Sequence, residues 1–133
     1  MTRMVFVIFG VATILCGAAA AAYRGAAIAR RTAVEAEALT GGDVEAGRIA
    51  VKTHGCDACH TIPGVVDARG LVGPPLTQIA NRIYIAGVLT NTPDNLIEWI
   101  QNPPGVDPRT AMPNLGVDQT AARDIAAYLY TLR

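Results

Sequence analysis

Three residues near the middle of the chain, Cys56, Cys59 and His60, have the types and spacing for covalent haem attachment. Two thiols three positions apart can each form a thioether with one vinyl group of a haem. The histidine that follows at once can then ligate the iron. The string Cys56-Asp57-Ala58-Cys59-His60 therefore predicts one covalently attached haem c, with His60 as its first axial ligand.

Two other kinds of site also use a Cys-x-x-Cys pair. A thioredoxin-like dithiol lies between a strand and a helix, and the sequence shows no strand pattern. A structural zinc site needs four ligands, and the only further cysteine and histidine are Cys16, in an apolar stretch, and His54. We favour the haem over both alternatives.

The second axial ligand of the iron must come from elsewhere in the chain. Apart from Met1 and Met4, the only thioether is Met112, which lies about fifty residues after His60. It belongs to a Pro-rich loop rather than to an apolar helix face, so we predict that Met112 is the second ligand. His/Met ligation fills both axial positions, which leaves one-electron transfer and no site for O₂ or peroxide.

The amino-acid composition limits the classes of protein to which this chain can belong. The 133 residues predict one domain, and 51% are hydrophobic, yet only two Phe, one Trp and four Tyr are present. A bound haem would supply the apolar mass that such a thin core lacks. From Asp43 onward the chain has seven basic and nine acidic residues, which does not suggest nucleic-acid binding. Lys52 is the only lysine, so a ring of lysines for docking acidic partners is missing.

The first part of the chain predicts a membrane segment. Met4 to Ala22 is nineteen residues without a charge, close to the roughly twenty that a spanning helix needs. Its alanine run also resembles the cleavage region of a signal peptide. We predict an uncleaved anchor over residues 1–22, a stalk or linker over 23–42, and a haem domain over 43–133. Three arginines follow the span, and the positive-inside rule alone would keep that side in the cytoplasm. Covalent haem attachment, however, takes place outside the bacterial cytoplasmic membrane, and we give it more weight. We therefore expect a single-pass protein of that membrane with its haem domain on the periplasmic side.

Local signals predict four helices in the haem domain and no strand. Asp43, Thr92 and Asp118 are good N-caps, and Pro93 suits a first helical position. The predicted helices run from the Asp43 cap to about Thr53, from Thr77 to about Ile83, from the Thr92 cap to Asn102, and onward from the Asp118 cap.

These features resemble the class I c-type cytochromes, which are monohaem proteins with His/Met ligation. The resemblance covers about Asp43 to Arg133 and is carried by Gly47, CDACH, GPPL, WIQNP, AMP and AAYL. The stretch NRIYIAGVLTNTPDNLIEWIQNP is most similar to the cytochrome c domain fused to subunit II of some haem–copper oxidases, and to membrane-anchored bacterial cytochromes. The resemblance to this family implies an all-α class I cytochrome c fold, here preceded by an N-terminal transmembrane helix. It also implies that the first and last helices of the domain cross closely, with Gly47 against Tyr128.

The resemblance further implies roles for residues around the haem. The carbonyl of Pro74 would accept a hydrogen bond from His60 and so orient the imidazole. Leu76 would pack on the haem, and Trp99 would lie against it near the methionine side. Arg82 would meet a propionate. A surface arginine and a plain core tryptophan are the alternatives for the last two.

The expected function is electron transfer rather than catalysis. We expect a membrane-anchored cytochrome that carries single electrons between a quinol-oxidising complex and a terminal acceptor such as an oxidase. A resident cytochrome c subunit of a larger respiratory, photosynthetic or dehydrogenase complex is the alternative, and the missing lysine ring fits it. A haem enzyme or gas sensor would require Met112 to leave the iron. The expected partners are membrane complexes, with no nucleic acid.

Overall fold

The computed structural model describes residues 2–133, with side chains described from Ile14 onward. The chain forms two compact units, one that ends at Thr32 and a second that comprises Ala33–Arg133. Helix α1, Thr2–Thr40, makes up the first unit and contributes its last eight residues to the second. All predicted site residues belong to the second unit.

The predicted transmembrane helix is wrong. Among the residues that the structure describes, no helix is long and apolar enough to cross a membrane. Residues 14–22 of the predicted anchor lie in the part of α1 whose side chains are described. Residues 1–13, which hold the rest of the predicted anchor, lie outside the described side chains. The predicted single-pass location in the bacterial cytoplasmic membrane is overturned by the same finding.

Helix α2, Val44–Thr53, confirms the first predicted helix of the haem domain. Its N-terminus is held by Asp43, whose carboxylate accepts a hydrogen bond from the Ala46 N–H at 2.7 Å. Gly55 follows with φ of 72°, a left-handed conformation that glycine adopts at little cost. The chain thus turns sharply into a 3₁₀ turn over Cys56–Ala58.

The all-α prediction is also wrong, because a small hairpin lies between α2 and the next helix. Strands β1, Tyr84–Ile85, and β2, Leu89–Thr90, pair in an antiparallel sheet. Between them Ala86 and Gly87 have φ of 50° and 76°, which reverses the chain. The helix predicted from Thr77 is reduced to a 3₁₀ turn, Ile79–Asn81.

The remaining helices of the second unit are α3, Pro93–Gln101, α4, Pro103–Val106, and α5, Gln119–Tyr130. The start signals of α3 and α5 are confirmed. The Thr92 hydroxyl accepts a hydrogen bond from Asn95 N–H, and the Asp118 carboxylate accepts one from Ala121 N–H. Both helices pack with buried apolar faces against each other.

Helices α2 and α5 cross with almost no space between their backbones. A Cβ atom on Gly47 would collide with the Asp124 carbonyl and lie 2.9 Å from Cβ of Tyr128. The expected contact between Gly47 and Tyr128 is therefore confirmed. The Tyr128 hydroxyl also donates to the carbonyl of Pro63, which ties the loop after the Cys-x-x-Cys-His motif to the same crossing.

Candidate functional site

A cavity of about 530 Å³ lies within the second unit, between α2, α3, α5 and the loops that join them. Its volume falls in the range of roughly 300–1,000 Å³ that small-molecule and cofactor sites occupy. All eight residues predicted from the sequence line it: Cys56, Cys59, His60, Pro74, Leu76, Arg82, Trp99 and Met112. The fold therefore gathers residues from most of the second unit around one space.

One tight turn places the two thiols and the imidazole on the cavity wall. The backbone N–H groups of Cys59 and His60 both donate to the Cys56 carbonyl, at 3.3 and 3.0 Å. Both cysteines are free thiols. Burial raises the pKa of the Cys56 thiol to about 11, so that this thiol is protonated at neutral pH. Reactive dithiols of the thioredoxin kind have lowered pKa values, so the raised value disfavours that alternative.

The orientation of His60 follows from one hydrogen bond. Its Nδ1 lies 2.7 Å from the carbonyl oxygen of Pro74. A carbonyl oxygen accepts hydrogen bonds and cannot donate, so in the neutral imidazole Nδ1 carries the proton and Nε2 has the lone pair. An imidazole held in this tautomer is ready to ligate a metal through Nε2.

Gly73 makes room for that imidazole, and the sequence reasoning did not assign it a role of its own. A Cβ atom at this position would lie 2.7 Å from Nδ1 and 2.9 Å from Nε2 of His60. The Gly73 N–H donates to the Cys59 carbonyl at 2.8 Å, which fixes the loop against the motif. The Gly-Pro pair was the sequence signal that pointed here.

Met112 lies in the loop between α4 and α5 and lines the same cavity. It is half-buried, and its N–H donates to the Thr110 hydroxyl at 3.1 Å. This local bond shapes the loop at the point where the thioether meets the cavity. The structure thus brings one imidazole and one thioether to a common space.

The rest of the lining is mostly apolar. Trp99 and Leu76 are each 8% exposed. Further apolar side chains on the walls are Val51, Ile79, Ile85, Leu96, Ile100, Val117, Ile125 and Leu129. The helical stripes in the sequence predicted that several of these are buried, but nothing in the sequence showed which face encloses a cavity. Ile85, in the hairpin, had no sequence signal.

Arg82 is half-buried and supplies a positive charge to the cavity lining. Its guanidinium donates through Nη2 to the carbonyl of Pro75 and, at 3.2 Å, to that of Thr77. These bonds hold the side chain along the loop that follows Pro74. A cation so placed can meet an anionic group of a bound ligand.

The donor set fits a haem c. It combines two thiols on one turn, an imidazole with a free Nε2, a thioether and apolar walls. In contrast, no group of three His, Cys, Asp or Glu side chains in the described part of the chain is arranged to hold a metal ion.

Comparison with known proteins finds a similarity to an oxidase subunit. The chain is 31% identical over 88 residues to cytochrome c oxidase subunit 2 of Alkalihalophilus pseudofirmus. The matched region covers 65% of this chain and 25% of that protein, so the chain spans about a quarter of its relative's length. The similarity relates this chain to part of an oxidase subunit. No family model matches the chain. No solved structure matches it either.

Proposed function

We propose that the second unit is a monohaem c-type cytochrome that transfers single electrons. The observation that carries the proposal is the common cavity lined by Cys56, Cys59, His60 and Met112. The two cysteines would hold the haem through thioethers, and His60 and Met112 would ligate its iron. When bound, the haem supplies one-electron redox chemistry, which a thioether ligand poises toward the ferrous state.

The residues around the cavity would bind the haem, orient its histidine ligand and shield it from water. The Pro74 carbonyl holds the proton on Nδ1 of His60 and so presents Nε2. Leu76 and Trp99 pack at the cavity and exclude water, which lowers the local dielectric constant. Arg82 would offset negative charge on the propionates. Because His60 and Met112 would both ligate the iron, electron transfer would be favoured over catalysis, although the protein would still serve an oxidoreductase system.

The covalent haem is the first claim to test. We would express the full chain in a bacterium with c-type haem maturation and stain a denaturing gel for haem. The expected result is a haem-stained band that is lost in the Cys56→Ser/Cys59→Ser variant. Cys16→Ser is the matched control, because Cys16 lies in the first unit, and it should keep the stain. A wild-type protein without covalent haem would overturn the proposal.

The similarity to an oxidase subunit supports a respiratory complex as the partner. It also favours a second candidate, in which the protein is a resident subunit of such a complex and not a mobile carrier. The single lysine in the sequence agrees with this, because a resident domain needs little electrostatic steering.

A native gel of gently solubilised cells, stained for haem, would separate the two roles. Haem in a large complex would favour the resident subunit. Haem in a small species would favour a carrier that moves between an electron donor, such as a quinol-oxidising complex, and its acceptor.

A further inference from the structure

Asn91 lies behind the cavity wall and joins three parts of the second unit. Its Nδ2 donates to the carbonyls of Ile79 and Arg82, at 2.8 and 2.9 Å. Its Oδ1 accepts a hydrogen bond from the Tyr130 hydroxyl at 2.9 Å. The side-chain amide therefore uses both N–H groups and its oxygen, and its partners are 9 to 39 positions away.

The two carbonyls that Asn91 binds bracket the 3₁₀ turn Ile79–Asn81. Both Ile79 and Arg82 line the cavity, whereas Asn91 is not among its lining residues. Asn91 thus fixes the backbone at the first residue of the turn and at the residue that follows it, which is the residue that carries the Arg82 side chain. That side chain in turn donates to the carbonyls of Pro75 and Thr77.

The anchor for this arrangement is α5. Tyr130 is 8% exposed, and burial raises the pKa of its hydroxyl to about 12, so the hydroxyl stays a donor at neutral pH. A second hydrogen bond joins the 3₁₀ turn to the segment after α5, because the Ala80 N–H donates to the Leu132 carbonyl at 3.2 Å. Hydrogen bonds in a partly buried network are strong because water competes poorly for them. Movement of the turn would break several at once.

We propose that Asn91 is a positioning residue that raises the reduction potential of the site by holding Arg82 at the cavity. This inference rests on the proposed haem function. A positive charge near the iron stabilises the ferrous form, which carries one positive charge fewer than the ferric form. If the Ile79–Asn81 turn is released, the guanidinium can move toward water, where its effect on the iron is screened.

The test uses the holoprotein and measures the reduction potential by spectroelectrochemical titration. Asn91→Leu has a similar size but neither donates nor accepts, and we expect it to lower the potential. Arg82→Gln should lower it as well. The double variant should fall no lower than Arg82→Gln alone, because Asn91 acts through Arg82. Shifts that simply add, or an unchanged potential in Asn91→Leu, would overturn the inference.

Asn95→Leu is the matched control. The Asn95 amide also donates to its neighbours, the Thr90 carbonyl at 2.9 Å and the Thr90 hydroxyl at 3.1 Å. Neither Asn95 nor Thr90 lines the cavity. We expect Asn95→Leu to lower the thermal midpoint but keep the wild-type potential. An equal shift of potential in both asparagine variants would show a general structural effect and would overturn the positioning role.

Two milder variants keep the inference falsifiable if Asn91→Leu fails to accumulate. Asn91→Ser keeps one short donor and should lower the potential by less than Arg82→Gln. Tyr130→Phe leaves both bonds to the turn in place, so its shift should be smaller than that of Asn91→Ser. The reverse order would overturn the inference. Failure of the proposed function is distinguishable, since in that case the wild-type protein itself would carry no haem.

Discussion

At the scale of single residues, the site depends on which side-chain atoms are available to ligate a metal. The Pro74 carbonyl decides the tautomer of His60, and Gly73 leaves space for the ring. Met112 supplies the thioether in the cavity lining. Each of these contributions depends on one atom or on the absence of a side chain, so single substitutions can test them one at a time.

Met112→Ala is expected to open the sixth coordination position of the proposed haem. The covalent bonds to Cys56 and Cys59 would keep the haem attached, so the variant should bind carbon monoxide in the ferrous state while the wild type does not. Visible absorption spectra before and after addition of the gas measure this. Leu115→Ala is the control, because it removes an apolar side chain from the same loop and cavity lining without removing a ligand atom. Equal binding by wild type and variant would contradict ligation by Met112.

Because Tyr130 is buried, we expect the free energy of unfolding to depend on pH in the alkaline range. Burial raises the pKa of its hydroxyl from an ordinary 10.0 to about 12. Unfolding between these pH values releases a proton, so this residue's contribution is complete below pH 10 and is lost as the pH rises toward 12. We expect the free energy of unfolding to fall in that window, and to fall less steeply in Tyr130→Phe.

Urea unfolding at a series of pH values checks the prediction. At neutral pH the Tyr130→Phe variant should be less stable by about 0.5–1.5 kcal/mol, the usual value of one hydrogen bond. This deficit should shrink above pH 10, because only the wild type has the Tyr130 hydroxyl to titrate. Other tyrosines, such as Tyr128, are present in both proteins and cancel in the difference. A deficit that stays constant across the alkaline range would rule out the raised pKa.

At the scale of the elements, the crossing of α2 and α5 sets the position of the Cys-x-x-Cys-His turn. The turn follows α2 directly, and α5 supplies Ile125 and Leu129 to the cavity wall. The distance between these two helices therefore determines the width of the site. Gly47 permits the close approach, since any side chain there meets the backbone of α5.

Gly47→Ala is expected to lower the free energy of unfolding by about 1–3 kcal/mol, because the methyl group forces the two helices apart. The matched control is Gly25→Ala in α1, where an added Cβ would meet nothing within 4 Å. There the better helix propensity of alanine should add up to about 1 kcal/mol of helix stability. Chemical denaturation of both variants measures the difference. If Gly47→Ala proved as stable as the wild type, the crossing would be looser than the structure shows.

At the scale of the whole molecule, the compact second unit includes more than the predicted haem domain. It begins at Ala33, and Ala36 is fully buried within it. The carboxylate of Glu37 accepts a hydrogen bond from the Val44 N–H at 3.3 Å, and Arg133 forms an ion pair with Glu35 at 2.9 Å. The ion pair is exposed and adds little stability, so the burial of Ala36 matters most.

Ala36→Leu should therefore destabilise the second unit, because a larger side chain does not fit a site that is 0% exposed. The expected cost is about 1–3 kcal/mol of the free energy of unfolding. Ala38→Leu, two positions along on an exposed part of the same helix, should change it by less than about 0.5 kcal/mol. Thermal unfolding followed by circular dichroism compares the two variants. Equal midpoints would mean that the end of α1 is not part of the folded core.

Much of the second unit could be predicted because its signals are local. A cap such as Asp43, Thr92 or Asp118 binds an N–H three positions along, so the residue and its partner are read together in the sequence. The Cys-x-x-Cys-His string is likewise confined to five positions. By itself the sequence determined where α2, α3 and α5 begin and which side chains were candidates for the site.

Other features depended on partners far away in the chain or on backbone conformations that the residue types do not demand. Gln78 and Ala86 have positive φ although neither is glycine. The helix predicted from Thr77 to about Ile83 is therefore a 3₁₀ turn, and the hairpin that follows it was not predicted. The bonds of Asn91 to Ile79, Arg82 and Tyr130 exist only once the hairpin lies against α5. Only the tertiary structure decided that the eight candidate residues line one cavity, because their shared space is enclosed by elements that are distant in sequence.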